Sequence, residues 1–180
     1  MKKILLLLLF SSFFLQAQKK CGFVDGLQEG NCIFFYDNGQ TKWDQNWKKG
    51  KLEGNYIAYF ENGKEKAKGI YKKDRKVSEW VYYDESGSKT GIEKYKGWKG
   101  DVYHDESENT YFKNEKITSQ GKFVNGKEVG KWKYFYESGK LKYESNFVNG
   151  LREGKQFSYK ENGSLEETNL YKNGKLIFTK

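Results

Sequence analysis

Glycine recurs in this chain at intervals of 24 residues, in two interleaved series. The first series consists of Gly26, Gly50, Gly126, Gly150 and Gly174, and the second of Gly39, Gly63, Gly87, Gly139 and Gly163. Asp74 takes the place that follows Gly50, and the distance from Asp74 to Gly126 is two periods plus four residues. A short fixed period predicts an array in which each unit packs on its neighbours, not an enzyme built around one cleft.

Each 24-residue unit has the pattern of a β-hairpin. In the segment from Phe123 to Leu141, Asn125-Gly126 separates two runs that alternate aromatic and polar residues. Asn-Gly suits a two-residue type I′ turn, because both central residues need a positive φ. The second glycine series marks another turn, as in Ser138-Gly139. Successive hairpins are therefore expected to pair edge to edge in one long antiparallel meander.

Alternation along the strands separates two faces. One face carries two columns that are aromatic in every copy, and we expect these columns to form the core: Phe35, Tyr59, Tyr83, Phe135 and Tyr159, then Trp47, Tyr71, Tyr95, Phe123, Phe147 and Tyr171. The opposite face holds a second aromatic stripe in the middle units: Tyr56, Trp80, Tyr82, Trp132 and Tyr134. Trp and Tyr commonly anchor interfaces, so the stripe is our candidate binding surface. The alternative is that it belongs to the core.

The unit NGK-x-x-G-x-W-x-Y-Y-x-E-N-G-K-L resembles the MORN-repeat variant of bacterial YwqK-type proteins, which are labelled antitoxin-like. The stretches that carry the resemblance are Gly50–Lys64, Gly126–Leu141 and Gly150–Leu165. The resemblance implies an all-β fold: a repeat array of antiparallel β-hairpins in one elongated, twisted meander sheet. It also implies contacts with proteins or lipids. The antitoxin label implies a toxin partner in the cytoplasm.

The N-terminus has the features of a signal peptide. Lys2 and Lys3 precede an apolar run from Ile4 to Leu15, and Ala17 offers a small residue for cleavage. We expect residues 1–17 to be removed and residues 18–180 to form a repeat domain of about six units. The protein would then be exported to the periplasm or the extracellular space, which conflicts with a cytoplasmic antitoxin. Lipidation at Cys21 is disfavoured because charged residues precede this cysteine.

The chain has two cysteines, Cys21 and Cys32. If Asp25-Gly26 forms the turn of the first hairpin, the two cysteines face each other across it. An oxidising compartment favours a disulfide between them. The alternative is two free thiols.

The unit at residues 91–121 is degenerate and contains the insertion. Its segment from Gly91 to Asn109 holds the only histidine, His104, among acidic residues that include Asp101, Asp105, Glu106 and Glu108. A cation site is conceivable there, but the spacing fits no known loop, and a solvated irregular loop is the favoured interpretation. We predict no metal site and no cofactor.

The sequence provides little support for catalysis. A single histidine without a nucleophile motif does not form a catalytic constellation. Glu29, Glu53 and Glu153 recur at the same place in their units, which indicates a role at turns or edges and not a glycosidase pair. We therefore expect a protein that is not an enzyme.

The net charge and the distribution of charged residues indicate which kinds of partner the protein binds. Without Lys2 and Lys3 the formal charge falls from +9 to +7. Lysines alternate with acidic residues and cluster beside turns, so nucleic acid is not expected, although anionic lipid or glycan is a possible ligand. Our first interpretation is a protein-binding or scaffold module at the bacterial cell envelope. The alternatives are an envelope binder of anionic lipid or glycan, and an antitoxin-like neutralising protein.

Overall fold

The computed structural model describes residues 20–100 and 102–180, so the predicted signal peptide at residues 1–17 lies outside the described residues. The described chain forms one open antiparallel sheet of 15 strands. Each strand pairs with the next in sequence, except that β12 and β13 both pair with β11. The strands are β1 (Lys20–Val24), β2 (Leu27–Phe35), β3 (Thr41–Lys48), β4 (Lys51–Tyr59), β5 (Glu65–Lys72), β6 (Arg75–Tyr83), β7 (Lys89–Lys99), β8 (Val102–Lys113), β9 (Lys116–Val124), β10 (Lys127–Phe135), β11 (Leu141–Val148), β12 (Leu151–Arg152), β13 (Gly154–Tyr159), β14 (Leu165–Lys172) and β15 (Lys175–Thr179). The all-β meander of hairpins predicted from the repeat is confirmed.

The two-residue hairpin turns have the geometry that the sequence predicts. Asn125 and Gly126 both have positive φ, at 50° and 71°. The same conformation persists where glycine is lost, with φ values of 50° and 63° at Lys73 and Asp74. Positive φ is strained for residues other than glycine. Aspartate tolerates this conformation better than most residues, and the Asp74 carboxylate accepts from the Leu52 amide at 2.8 Å, so the turn keeps its shape without glycine.

On the side of the sheet where the two-residue turns lie, hydrogen bonds between turns link each repeat to the next. The Gly50 amide donates to the Gln28 carbonyl at 3.0 Å, and the Gly150 amide donates to the Glu128 carbonyl at 2.9 Å. The recurring glutamates serve the same side, because their carboxylates accept from the first amide of the following turn. The pairs are Lys49 to Glu29 at 2.7 Å, Lys73 to Glu53 at 2.8 Å and Asn173 to Glu153 at 2.7 Å.

On the opposite side of the sheet, at the other ends of the strands, tyrosine hydroxyls link the repeats. The Tyr36 hydroxyl donates to the Tyr59 carbonyl at 2.7 Å, and Tyr136 makes the same bond to the Tyr159 carbonyl at 2.7 Å. Each bond connects the first residue of one turn with the last residue of the strand that precedes the equivalent turn in the next repeat. Hydrogen bonds at the turns on both sides of the sheet thus recur with the 24-residue period of the sequence.

The insertion lies within two paired strands, so the irregular loop predicted around Gly91–Asn109 is wrong. β7 and β8 have 11 and 12 residues, whereas the strands of the preceding hairpin, β5 and β6, have 8 and 9. His104 lies within β8 and pairs with Gly97. The extra residues lengthen both strands of this hairpin, and the register of the pair shifts once, between Tyr95 and Gly97.

The core lies on the face that contains Trp80 and Trp132, which we call the tryptophan face. The side chains of Cys32, Trp80 and Trp132 are 0%, 1% and 2% exposed. They belong to a row on neighbouring strands across the sheet: Cys32, Gln45, Tyr56, Gly69, Trp80, Glu93, Asn109, Gly121, Trp132, Ser145, Gln156 and Asn169.

Each buried tryptophan lies over a glycine of the preceding strand. A Cβ atom on Gly69 would be 2.3 Å from the Trp80 ring, and one on Gly121 would be 2.1 Å from the Trp132 ring. The two glycines therefore provide the space in which the indole rings lie. A sheet with one layer gains a core in this way, since the rings fold down onto the backbone beside them.

The predicted core was partly wrong. The column that begins with Phe35 lies on the opposite face by strand alternation, and its residues are half-buried. The column that begins with Trp47 lies on the tryptophan face. In that column Tyr71 and Phe123 pack edge-on against Trp80 and Trp132, with ring centroids 4.9 and 5.1 Å apart. Alternation shows which residues share a face but not which face is buried. The space above Gly69 and Gly121, which the indole rings occupy, decides this.

A disulfide joins Cys21 of β1 to Cys32 of β2, with their Cα atoms 4.2 Å apart. Cys32 is fully buried at the start of the row that crosses the sheet. The bond therefore ties the first strand to the core.

Gly69→Ala and Gly121→Ala should each destabilise the protein by about 2–3 kcal/mol, because the added methyl group would overlap an indole ring that has no room to move away. Gly91→Ala is the matched control, since a Cβ at Gly91 would meet its nearest neighbour at 3.6 Å, an ordinary contact. Denaturant unfolding followed by tryptophan fluorescence measures the effect. Equal unfolding midpoints for Gly69→Ala and Gly91→Ala would contradict a core in which the indole rings pack over glycine.

Candidate functional site

The tryptophan face carries two aromatic clusters. The first, called the Trp80 cluster, consists of Tyr56, Tyr71, Trp80 and Tyr82. Ring centroids of Tyr56 and Tyr82 lie 5.4 and 6.5 Å from that of Trp80. The Trp80 indole Nε1 donates to the Ile70 carbonyl at 3.2 Å, so its polar atom is satisfied inside the cluster.

The second, called the Trp132 cluster, consists of Tyr111, Phe123, Trp132, Tyr134, Tyr143 and Phe147. Tyr111 stacks on Trp132 with ring centroids 6.3 Å apart, and Tyr134 stacks on Tyr143 at 4.2 Å. Trp132 Nε1 donates to the Lys122 carbonyl at 3.3 Å, as Trp80 does to Ile70. The two clusters are thus built on the same plan.

All five residues of the predicted binding stripe lie on the tryptophan face, but they differ in access. Trp80 and Trp132 are buried, so a partner cannot reach their rings. Tyr56, Tyr82 and Tyr134 are half-buried and surround the two tryptophans. The two alternatives left open by the sequence therefore divide between residues, with the tryptophans in the core and the tyrosines on its accessible rim.

A cleft separates the clusters where the degenerate repeat crosses the face, and we call it the Glu93 cleft. Its volume is about 210 Å³. The lining residues come from β7, β8, β9 and the following turn: Glu93, Tyr95, Asp105, Ser107, Asn109, Tyr111, Phe123 and Gly126. Ser107 and Asn109 are 7% and 4% exposed, so the floor of the cleft is polar and buried.

Glu93 is the centre of a hydrogen-bond network. Its Oε2 accepts from the Tyr82 hydroxyl at 2.5 Å and from the Tyr95 hydroxyl at 2.7 Å, and Lys76 Nζ lies 3.5 Å away. Its Oε1 accepts from Asn109 Nδ2 at 3.3 Å. These contacts hold a largely buried carboxylate in one orientation between the two clusters.

The floor continues the network, because Ser107 Oγ donates to Asn109 Oδ1 at 2.7 Å. Asn109 therefore contacts both Glu93 and Ser107 and has its amide orientation set by them. Satisfied polar groups of this kind rigidify a site.

Burial alters the ionisation of the tyrosines on this face. The pKa of Tyr82 is raised, first because burial disfavours the phenolate and second because the hydroxyl donates to Glu93. Burial, together with the nearby Tyr143, raises the pKa of Tyr134 to about 12. Both hydroxyls are therefore neutral at physiological pH.

Two cations of the chain itself rest on aromatic rings of this face. Lys76 Nζ lies 4.8 Å from the Trp80 ring centroid and 5.1 Å from that of Tyr82. The Arg152 guanidinium lies 5.4 Å from the ring centroid of Tyr171. Attraction between a cation and the face of an aromatic ring stabilises such contacts.

Sequence reasoning missed Glu93, Lys76 and Asn109. A readable signal existed for Glu93, because its column at the 24-residue period otherwise holds uncharged residues: Gln45, Gly69, Gly121, Ser145 and Asn169. A carboxylate in a buried column is unusual and needs partners. No such signal marks Lys76 or Asn109, whose roles follow from the side chains around them.

Among the described residues, His104 is not part of a group placed to hold a metal ion. His104 is half-buried in β8, and Asp101 lies outside the described residues. Within residues 20–100 and 102–180, no group of three or more His, Cys, Asp or Glu side chains is placed to hold a metal ion. The same residues include no helix with the length and apolarity needed to cross a membrane.

The family model of the MORN repeat variant matches residues 128–149 and 152–178. The MORN-variant repeat predicted from the sequence is thereby confirmed within these residues. Comparison with curated proteins finds no match. A crystal structure of an S. aureus TarM mutant, in complex with fondaparinux, alpha-GlcNAc-glycerol and UDP, is similar over 55% of this chain and 19% of that chain. The sequence identity is 17% and the TM-score is 0.39.

Tyr134→Phe should protect the protein against alkaline unfolding. Burial raises the pKa of Tyr134 to about 12 in the folded protein, whereas the pKa of an unfolded tyrosine is about 10. Because the folded pKa is the higher one, the contribution of Tyr134 to stability is complete below about pH 10 and is lost as the pH rises towards 12. Denaturant midpoints of both proteins should diverge above about pH 10, with wild type falling faster. Parallel curves would contradict the burial of this hydroxyl.

Proposed function

We propose that this protein is an exported, non-enzymatic repeat scaffold that binds another protein at the bacterial cell envelope through its tryptophan face. The observation that carries the proposal is the arrangement of Tyr56, Tyr82 and Tyr134 around the buried Trp80 and Trp132 on a sheet with one layer. These tyrosines are half-exposed, and their rings are held by packing against buried tryptophans. Rigid aromatic side chains of this kind anchor protein interfaces at little entropic cost.

Repeat architecture supports the same function. MORN-variant repeats suggest a protein with a protein-binding or membrane-binding role. An open meander presents a long continuous face, which suits a scaffold better than an enclosed active site. The non-enzymatic assignment rests on the sequence, in which one histidine stands without a nucleophile motif.

Export is supported by two features. The first is the basic and apolar start of the chain, with Lys2, Lys3 and the run that ends at Leu15. The second is the pair Cys21 and Cys32, which the structure joins in a disulfide. Disulfides persist mainly in oxidising compartments outside the cytosol.

Two other functions remain as competitors. Binding of anionic lipid or glycan is favoured by the excess of lysine and arginine, which gives a formal charge of +9. Such binding would weaken steeply as salt rises. An antitoxin-like role requires a partner in the cytoplasm. A cytoplasmic location of the protein would therefore favour this role, and an exported protein would exclude it.

Tyr82→Ala should abolish capture of the protein partner, whereas the neighbouring Tyr83→Ala should leave it unchanged. The two tyrosines are adjacent in β6, but strand alternation points Tyr83 to the opposite face, where Lys68 Nζ lies 5.5 Å from its ring centroid. The measurement is cross-linking of residues 18–180 to envelope fractions, with mass spectrometry. Circular dichroism and unfolding midpoints check that both variants fold.

Equal loss of the partner in both variants would argue against the tryptophan face as the binding surface. Retention of lipid or glycan alone, lost at high salt, would support the second function.

Full-length protein expressed in a bacterium should be recovered outside the cytoplasm with Gln18 as its first residue. Leu7→Arg should block this processing, because a charge interrupts the apolar run that the export machinery recognises. Cell fractionation and intact-mass measurement test the result. Unprocessed wild-type protein in the cytoplasm would remove the export assignment and favour the antitoxin-like role.

A further inference from the structure

The Glu93 cleft is an acidic site on a basic protein. The chain has a formal charge of +9, yet the cleft is lined by two carboxylates, Glu93 and Asp105, and by no lysine or arginine among the described residues. Lys76 reaches Glu93 from the side of the Trp80 cluster and is not part of the lining. The carbonyl of Asp105 accepts from the Asn125 amide at 2.8 Å, which fixes this residue at the mouth of the cleft.

The walls of the cleft are aromatic. Tyr95, Tyr111 and Phe123 stand around the two carboxylates, and the buried Asn109 forms the floor. An aromatic enclosure with a carboxylate at its base attracts a cation twice, through the ring faces and through charge-assisted hydrogen bonds.

The chain already fills two comparable places with its own cations. Lys76 lies over the rings of Trp80, Tyr82 and Tyr95 and pairs with Glu93. Arg152 occupies the same position two residues after its turn, over Phe147 and Tyr171, near enough to Glu128 to act on its charge. The Glu93 cleft lies between these places. Lys76 reaches it at Glu93 Oε2 and the Tyr95 ring, and none of its lining residues in the described chain is a lysine or arginine.

We propose that the Glu93 cleft receives a cationic side chain, lysine or arginine, from the protein partner. This assignment rests on the proposed function and names the chemistry of the partner residue that enters the tryptophan face. Oε1 of Glu93 and the Asp105 carboxylate accept from the incoming cation, and the rings of Tyr95, Tyr111 and Phe123 surround its apolar stem.

The test is an NMR titration of residues 18–180 with the peptide acetyl-Gly-Arg-Gly-amide, its lysine counterpart and its citrulline counterpart. Citrulline has nearly the shape of arginine but no charge. Saturable shifts at the Asn109 side-chain amide and at the amides of Glu93 and Ser107 are expected with arginine or lysine. The citrulline peptide should bind at least about tenfold more weakly, because the charge-assisted hydrogen bonds are lost.

Asp105→Asn should weaken binding of the cationic peptides about tenfold. The matched control is Glu108→Gln, which removes one charge from the same strand but from the opposite face, where Glu108 is exposed. Asp105 is itself exposed, so its substitution leaves the fold intact.

Three results would overturn the assignment: equal binding of the citrulline peptide, equal weakening by Glu108→Gln, or no binding of any peptide at these residues. Binding of a neutral chitotriose at the same residues in place of the peptides would assign the cleft to glycan and would also overturn it. If Asp105→Asn still captured the partner as wild type does, the cation assignment would fail while the scaffold function stood. If no partner depended on Tyr82, the scaffold function itself would fail.

Discussion

The stacking of a tryptophan on a glycine of the preceding strand is the interaction on which this structure depends. A sheet with one layer has no second layer to cover its apolar side chains, so its core must be made within the sheet. Trp80 over Gly69 and Trp132 over Gly121 achieve this, and both indole rings are almost completely removed from water. Burial of an aromatic ring removes about 150–250 Å² from water and contributes about 4–6 kcal/mol. Two such sites are therefore large contributions for a sheet whose other large side chains are mostly half-exposed.

The same stacking prepares the surface. The Trp80 and Trp132 rings hold Tyr56, Tyr82 and Tyr134 in fixed positions at the rim. Between the clusters, the degenerate repeat places Glu93 in a column where other repeats have uncharged residues. The core and the candidate site are thus two parts of one row, with apolar residues where the sheet needs stability and polar ones where the cleft opens. Beyond Trp132 the row continues with Ser145, Gln156 and Asn169, so the C-terminal repeats are held together more by hydrogen bonds at the turns than by an apolar core.

The sequence predicted the features that depend on local chemistry. Turn positions follow from residue types that tolerate positive φ, and the meander follows from the period. The recurring glutamates were rightly attributed to turns and edges, where Glu29 and Glu53 accept amide hydrogen bonds. The buried face was not predictable from alternation, because both faces are aromatic and the decision lies in the space above Gly69 and Gly121. The insertion was predicted to be a loop because its many acidic residues are typical of loops. An antiparallel pair of strands can nevertheless accommodate them. The cleft depends on side chains from three strands, which no local pattern reveals.

A double-mutant cycle between Gly69 and Trp80 tests the central claim most directly. Unfolding midpoints are measured for wild type, for Gly69→Ala, for Trp80→Leu and for the combination of both substitutions. If the glycine exists to accommodate the indole ring, Gly69→Ala should cost far less stability in the Trp80→Leu background than in wild type, and the two effects should not add. The same cost of Gly69→Ala in both backgrounds would show that the glycine and the tryptophan act independently. That result would contradict a core that depends on the stacking of tryptophan on glycine.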